Sequence, residues 1–495
     1  MDEYNIKEFK REVDCLYRIV SEEMGNVLDN LHGQHGHKFW IRFNGYGLYR
    51  FCYIFINEYK NNEVELPNKE YLTFDAIRSD YEFEGIASDI ELNYTYKNKI
   101  ILYLQRFIFS IFSPQFLTWR VYMSRRYLII QAIKSRLKHL PIQLKLNLNK
   151  EISKYDRTLR SEIFSDEFCA KIRNEKKRKY LAQFFVNYYP TICIERFQEV
   201  KFDVLKRYAF LRDSKLIVNE SFTSDHEASI ILSLLNDAHA LEHCYNEHNK
   251  LTHVFQHNTL DVISSLVDRY YTIGWSPDNE TKIEQSQSLY HGFSRQNKLQ
   301  KYRSNNKVLY ISGVLFDNIT EFSNSTIESS GRFREKFEQR RNELFNIIKQ
   351  NENIEIELKL HPKYSSQFPE EYVLIGNVEL CKIKNLNLKV LNEYKLVYCE
   401  YLSTVYIECI LNDIPVVCFC DPYAYKAKED DVIVNQLFEA KIFQKDIYGA
   451  VDMMKLSEED VTSWWLSAKV ENAKLNFKQN YVSFGGLIFD QVERR

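Results

Sequence analysis

The stretch Lys395–Cys420, KLVYCEYLSTVYIECILNDIPVVCFC, decides the fold. Leu396–Cys399 and Val416–Cys420 are short, β-rich apolar runs of the kind a parallel sheet buries on both faces. Ser403 and Thr404 stand between them, where the N-cap of a short helix belongs. The stretch therefore reads as strand, helix, strand. Its helix starts at the carboxyl end of a parallel strand, and the free N–H groups of such a start suit a phosphate. Glu408 lies one turn beyond Thr404 on the same face, within reach of a sugar hydroxyl.

Working upstream, Ile354–Leu360 (IEIELKL) reads as another strand and delivers His361-Pro362 at its end. A His at the neighbouring strand end would share a phosphate with the Ser-Thr start. The simpler reading is a strand terminator, with Pro ending the ladder and His exposed. Val308–Ser312 reads as the first strand of this half, and Ser312-Gly313 as the tight turn after it, close to a bound ligand. A polar stretch, Ser276–Asn306, separates this α/β alternation from what precedes it. The division predicted is an N-terminal unit over 1–300, a second α/β unit over 301–455 and a terminal helical segment over 456–495.

The first unit opens with apolar residues at three-and-four spacing from Ile6 to Leu31, a long amphipathic helix. Phe39–Tyr59 gives a second helix, loosened by Gly45 and Gly47, and Leu102–Leu140 reads as mostly helical. Lys215–Val218 and Thr252–Phe255 read as strands with a helix over Glu227–His243 between them, a βαβ unit. Asp225 follows the first strand and His257 the second. Asp225 is either a catalytic carboxylate or an N-cap, and His257 either faces a cleft or bonds local backbone. Glu195 is a third candidate, or an ordinary helix-surface residue.

At 495 residues the chain is too long for one core, and 45% hydrophobic residues leave no sign of extended disorder. Sixty-six Lys and Arg against 68 Asp and Glu give no overall basic field for nucleic acid. Ten cysteines without framework spacing fit buried thiols in a reducing cytosol. The charged N-terminus does not read as a secretory signal, and Ile100–Trp119, interrupted by Gln105, Arg106 and Pro114, lacks an unbroken membrane span. A cytoplasmic protein is expected, with possible peripheral membrane association.

Several pieces together resemble a family of transferases encoded in bacterial surface-carbohydrate clusters. They are Phe39-Trp40-Ile41-Arg42, Tyr189-Pro190 with Glu195-Arg196-Phe197, and Gln256-His257 followed by Asp268-Arg269-Tyr270-Tyr271 and Gly274-Trp275. Thr404 and Glu408 with Ile414-Pro415, then Trp464-Trp465-Leu466-Ser467, complete the set. The family looks like glycosyltransferases of the two-Rossmann (GT-B) type and is similar to enzymes using CMP-activated acidic sugars such as Kdo and sialic acid. The resemblance implies an α/β, GT-B-like fold whose first domain takes a glycan or glycolipid acceptor of polysaccharide or lipopolysaccharide synthesis. The second would take the nucleotide-sugar donor, held by His361-Pro362 and Ser403-Thr404. It also implies that the last helix, over Glu458–Phe477, crosses back onto the first domain. No cofactor and no metal are implied. Where the family commonly has Gly-Gln-His-Gly, this chain has Phe255-Gln256-His257-Asn258.

Three other readings stay open. A CDP-polyol phosphotransferase would need the same phosphate contacts. A zinc hydrolase would use His239 and His243 of His239-Ala240-Leu241-Glu242-His243, four apart on one helix. A non-catalytic binding protein would keep the fold after losing the glycines. Asp278-Asn279-Glu280 has no strand leading into it, unlike the strand-end Asp-x-Asp that holds a nucleotide-bound cation.

Overall fold

The computed structural model describes residues 3–61, 70–82, 96–112, 114–119, 138–146, 155–165, 167–219, 225–247, 260–272, 283–285, 305–313, 332–360, 376–383, 386–420 and 432–481. Among the described residues, twelve strands form two six-stranded sheets, and every strand pair is parallel. The first holds β1 (Phe116–Trp119), β2 (His139–Pro141), β3 (Leu216–Asn219), β4 (Glu242–Asn246), β5 (Arg269–Thr272) and β6 (Ile283–Gln285), in the order β2-β1-β3-β4-β5-β6. The second holds β7 (Asn305–Ile311), β8 (Ile356–Lys359), β9 (Val378–Leu380), β10 (Tyr394–Cys399), β11 (Val416–Phe419) and β12 (Phe443–Gln444). Its order is β9-β8-β7-β10-β11-β12.

Both orders are doubly wound, so the chain contains two Rossmann-type units behind a helix-rich N-terminal region. Each sheet has a switch point, between β1 and β3 in the first and between β7 and β10 in the second, where successive connections leave to opposite sides. The central strands are apolar runs with both faces covered. β10 is buried at all six positions and β11 at all four, as their sequences require.

The helices α1 (Glu3–His32) and α2 (His37–Asn61) form a hairpin whose inner face packs on the helix His226–His239. Phe9, Val13, Leu16, Val20, Met24 and Leu28, at the spacing read from sequence, are buried there. Gly45 interrupts α2 at φ 57°, and a Cβ there would stand 2.3 Å from Ser229 Oγ on the packed helix. That backbone conformation and that approach both require glycine.

Several expectations are corrected. Of the mostly helical stretch expected over Leu102–Leu140, a helix over Tyr96–Phe112 covers the start, Phe116–Trp119 is a strand, and 120–137 lie outside the described residues. The βαβ unit closes at β4, not at Thr252–Phe255, which lies outside the described residues. The terminal helix is two helices, Glu458–Trp465 and Ala468–Tyr481. Among the described residues, three of their hydrogen bonds reach the second unit. Trp465 Nε1 donates to Asp413 at 3.0 Å, Lys474 reaches the same carboxylate at 2.6 Å, and Trp464 Nε1 donates to Ala440 O at 2.9 Å. Asp413 sits at φ 60°, so its side chain turns out from the end of the preceding helix to meet these donors.

Candidate functional site

The carboxyl ends of β7 and β10 meet at the second switch point. Register pairs Ile311 with Cys399 and Ile311 with Lys359, so three chain ends emerge side by side. Ser312 is buried and donates its N–H to Lys359 O at 3.0 Å, which continues the ladder one residue further. Gly313 follows, and a Cβ there would lie 2.7 Å from the Phe337 ring and 3.2 Å from Glu400 Oε2. Only glycine lets the backbone pass that close.

Glu400 holds this turn. Its carboxylate accepts from the Gly313 amide at 2.5 Å and from Arg341 Nε and Nη2 at 2.8 and 2.6 Å, and Arg341 also donates to Gly313 O at 3.3 Å. Burial alone would raise the Glu400 pKa. The Arg341 charge, its hydrogen bonds and those from Gly313 and Tyr310 outweigh it, and the carboxyl titrates below its ordinary value. Sequence reading passed over Glu400, although an acid directly after a buried apolar strand is itself a signal.

Three residues beyond Glu400, Ser403 precedes the helix Thr404–Leu411 with φ −99° and ψ 169°. It has the backbone of an N-cap but its side chain makes no cap hydrogen bond. The Ser403 Oγ is buried and has no hydrogen-bond partner among the described residues. The Thr404 and Val405 amides receive no cap from the Ser403 side chain, and its buried hydroxyl stands beside them. Thr404 and Glu408 are half-buried, one turn apart on this helix.

His361 and Pro362 lie outside the described residues. The strand that leads to them does not neighbour the Ser403 strand, because β7 stands between β8 and β10. With parallel strands about 4.8 Å apart, the two ends are separated by about 10 Å.

In the first unit, Asp225 lies beyond the end of β3 and caps the next helix, accepting from Ala228 N at 3.0 Å. His257 lies outside the described residues. Beside β3, the end of β4 carries Asn246 and Glu247, both fully buried, and the Glu247 amide donates to Tyr271 O at 2.8 Å. Glu247 is therefore a strand-end carboxylate that the misplaced β4 hid from sequence reading. Glu195 is taken by a buried ion pair, with Arg160 Nε and Nη2 at 2.6 and 2.9 Å, and it also accepts from the Asp156 amide at 3.2 Å. That ion pair gives Glu195 a structural role.

The zinc arrangement does not form. The helix stops at His239, Ala240 turns left-handed at φ 52°, and Glu242 and His243 belong to β4. The two histidines never share a helix face.

Pieces of the family resemblance serve the scaffold. Arg42 binds Asp268 with Nη2 at 2.5 Å and Nη1 at 3.2 Å, and Trp40 Nε1 donates to Asp29 at 2.6 Å. Those bonds pin α2 to the loop before β5 and to the end of α1. The His32–His37 turn is a packed junction. His35 bonds Asp237 at 3.0 Å and Lys201 at 3.1 Å and stacks on Phe39.

Two tandem doubly wound units, with the Ser403 helix start at the second switch point, define an α/β protein of the two-Rossmann type. The chain belongs to the LIC12162 family of transferases, whose family model matches residues 68–484. A search of curated proteins finds no match. Among solved structures it is similar to UDP-GlcNAc 2-epimerase from Neisseria meningitidis bound to UDP-GlcNAc, at 10% identity and TM-score 0.39 over 77% of this chain and all (100%) of that one. It is similar to the spinosyn rhamnosyltransferase SpnG complexed with thymidine diphosphate, at 9% identity and TM-score 0.38 over 77% and 99%. MurG of Acinetobacter baumannii gives 11% identity and TM-score 0.33 over 77% and 100%. No residue role carries over at this level of similarity.

Proposed function

We propose that this transferase is a GT-B-type glycosyltransferase that works without a metal and takes a nucleotide-sugar donor in the second unit. The donor it suits best is a CMP-activated ulosonic acid such as Kdo, and the acceptor a glycan or glycolipid of surface-polysaccharide or lipopolysaccharide synthesis. The reading places the enzyme in the cytoplasm, where such donors are made, and ten cysteines present as free thiols fit it.

The observation that carries the reading is the start of the Thr404–Leu411 helix, where Ser403 makes no side-chain cap and its buried hydroxyl has no partner among the described residues. Loss of a nucleoside monophosphate builds negative charge on its phosphate. Fixed N–H dipoles and the Ser403 hydroxyl would meet that charge from one side and His361 from the other. The Ser312-Gly313 turn, fixed by Glu400, would pass along the nucleotide, and Glu408 would bind a sugar hydroxyl. A carboxylate of the first unit, Asp225 or Glu247, would remove the acceptor proton or attack the anomeric carbon.

A thermal-shift screen of the purified chain with CMP, UDP, GDP, CDP-polyols and CMP-sugars tests the donor class. Stabilisation by CMP and CMP-sugars above the rest is the expected outcome. Preference for a CDP-polyol would move the protein to the phosphotransferases, and indifference to every nucleotide would overturn the reading.

A further inference from the structure

The helix Tyr96–Phe112 is apolar on two sides. One side packs inward: Gln105 and Phe109 are buried, Phe109 meets Phe210 edge-on at 4.9 Å, and Arg106 donates to Arg207 O at 3.0 Å. The other side also carries large apolar groups, with Tyr103 69%, Leu104 56%, Phe107 64% and Ile111 55% exposed. At about 100° per residue these four fall within a single arc of about 100°, so they form one row rather than scattered exposures. The row also has no structural duty, because the core contacts of the helix are made by its other face.

The sequence on either side of this row is one-sided in charge. The helix, YKNKIILYLQRFIFSIF, contains Lys97, Lys99 and Arg106 and no acid. From Leu92 to Lys150 the sequence holds eleven Lys and Arg and not one Asp or Glu, in a chain where 68 acids slightly outnumber 66 bases. Two copies of this face would bring like charges together, which argues against self-association. A nucleic acid would answer the cations but leave Leu104 and Ile111 in water. An anionic bilayer answers both, since headgroups take the cations and the acyl boundary takes the apolar row.

We propose that the Tyr96–Phe112 helix is an interfacial anchor that lays its Tyr103-Leu104-Phe107-Ile111 row into an anionic lipid surface. The anchor lies outside the donor site and depends on none of its residues. It would hold the enzyme where a lipid-borne acceptor is found.

Cosedimentation of the full chain with vesicles of phosphatidylcholine and phosphatidylglycerol (3:1), and of phosphatidylcholine alone, tests this. Binding to the anionic vesicles is expected, at least tenfold weaker on neutral vesicles and in high salt. The double variant Leu104→Ser/Phe107→Ser should lose at least tenfold with an unchanged thermal melt, because both side chains are exposed. Its nucleotide binding, measured separately, reports on the donor site alone. No binding of the parent to anionic vesicles overturns the anchor. So does equal binding by the double variant, or light scattering that shows a dimer which the double variant dissolves without any vesicle binding.

Discussion

The Glu400 carboxylate, just past β10, receives the Gly313 amide, just past β7, at 2.5 Å, across the point where the strand order of the second sheet reverses. Arg341 closes the arrangement from its helix, Arg332–Lys349. A ligand at the switch point would meet a turn whose shape is set before it arrives, because Glu400 uses fully buried charge to fix backbone.

Removing that carboxylate should be costly. Glu400→Ala leaves the Arg341 guanidinium buried without its counter-charge, and breaking one side of a buried pair costs about 3–5 kcal/mol. Glu400→Gln keeps an acceptor for the Gly313 amide and should lose less. Urea unfolding of the two variants checks the order, and equal stability of all three proteins would show that the pair does no structural work.

Ser403 makes the opposite prediction. Its buried hydroxyl has no partner among the described residues, so Ser403→Ala should leave the ligand-free protein as stable as before, or slightly more so. If the hydroxyl meets a donor phosphate, nucleotide affinity should fall about tenfold, as for one charge-assisted hydrogen bond. Titration calorimetry beside a thermal melt separates the two effects. An affinity unchanged by the substitution would remove Ser403 from the site.

The second sheet was legible because its strands are continuous apolar runs separated by a helix that starts at Ser403-Thr404, and Lys395–Cys420 contains both signals. The first sheet was harder to read. Its β4, Glu-His-Cys-Tyr-Asn, carries three polar residues that are satisfied only by tertiary partners, such as the Arg269–Glu242 ion pair and the Asp268 carboxylate under the His243 amide. Local pattern assigned that segment to the helix, and the error displaced both the histidine motif and the expected end of the βαβ unit. Glu400 and Glu247 were missed for a related reason. A strand-end acid looks like loop polarity until the partner that buries it is known.

Stability should fall on mild acidification. His226 is buried between two backbone groups, with Nδ1 accepting from Phe74 N at 3.2 Å and Nε2 donating to Phe43 O at 3.2 Å. Both ring nitrogens are used by the neutral form, and burial holds the pKa at about 3. His243 is likewise held at about 3, by burial and then by Arg42, with Asp268 opposing. An unfolded chain takes up these protons near pH 6.5, so between there and about pH 3 the unfolded state binds more protons and stability is lost as pH drops. Two fully buried rings should together cost about 2–3 kcal/mol between pH 7 and 5.5, at up to about 1.4 kcal/mol per ring per pH unit. His226→Gln keeps a donor and an acceptor but does not titrate. Melts at pH 7 and 5.5 should show about half the loss in that variant, and an undiminished loss would assign the pH dependence elsewhere.

For the carboxylate proposed to act on the acceptor, Asp225 and Glu247 are the two candidates tested first. Asp225 is half-buried and caps the His226–His239 helix, while Glu247 is fully buried at the adjoining strand end. Replacing the Asp225 carboxylate by an amide keeps the cap acceptor, so Asp225→Asn should fold normally and disturb little unless the charge itself works on the acceptor. Glu247→Gln also preserves shape and likewise removes basicity and nucleophilicity. The group that acts on the acceptor should lower kcat by about a hundredfold or more on amidation while donor binding holds, because its contribution is made in the transition state. The other variant should stay within a few-fold of the parent. Steady-state kinetics with the donor fixed by the nucleotide screen decides between them, and full activity of both variants would place the base outside these two strand ends.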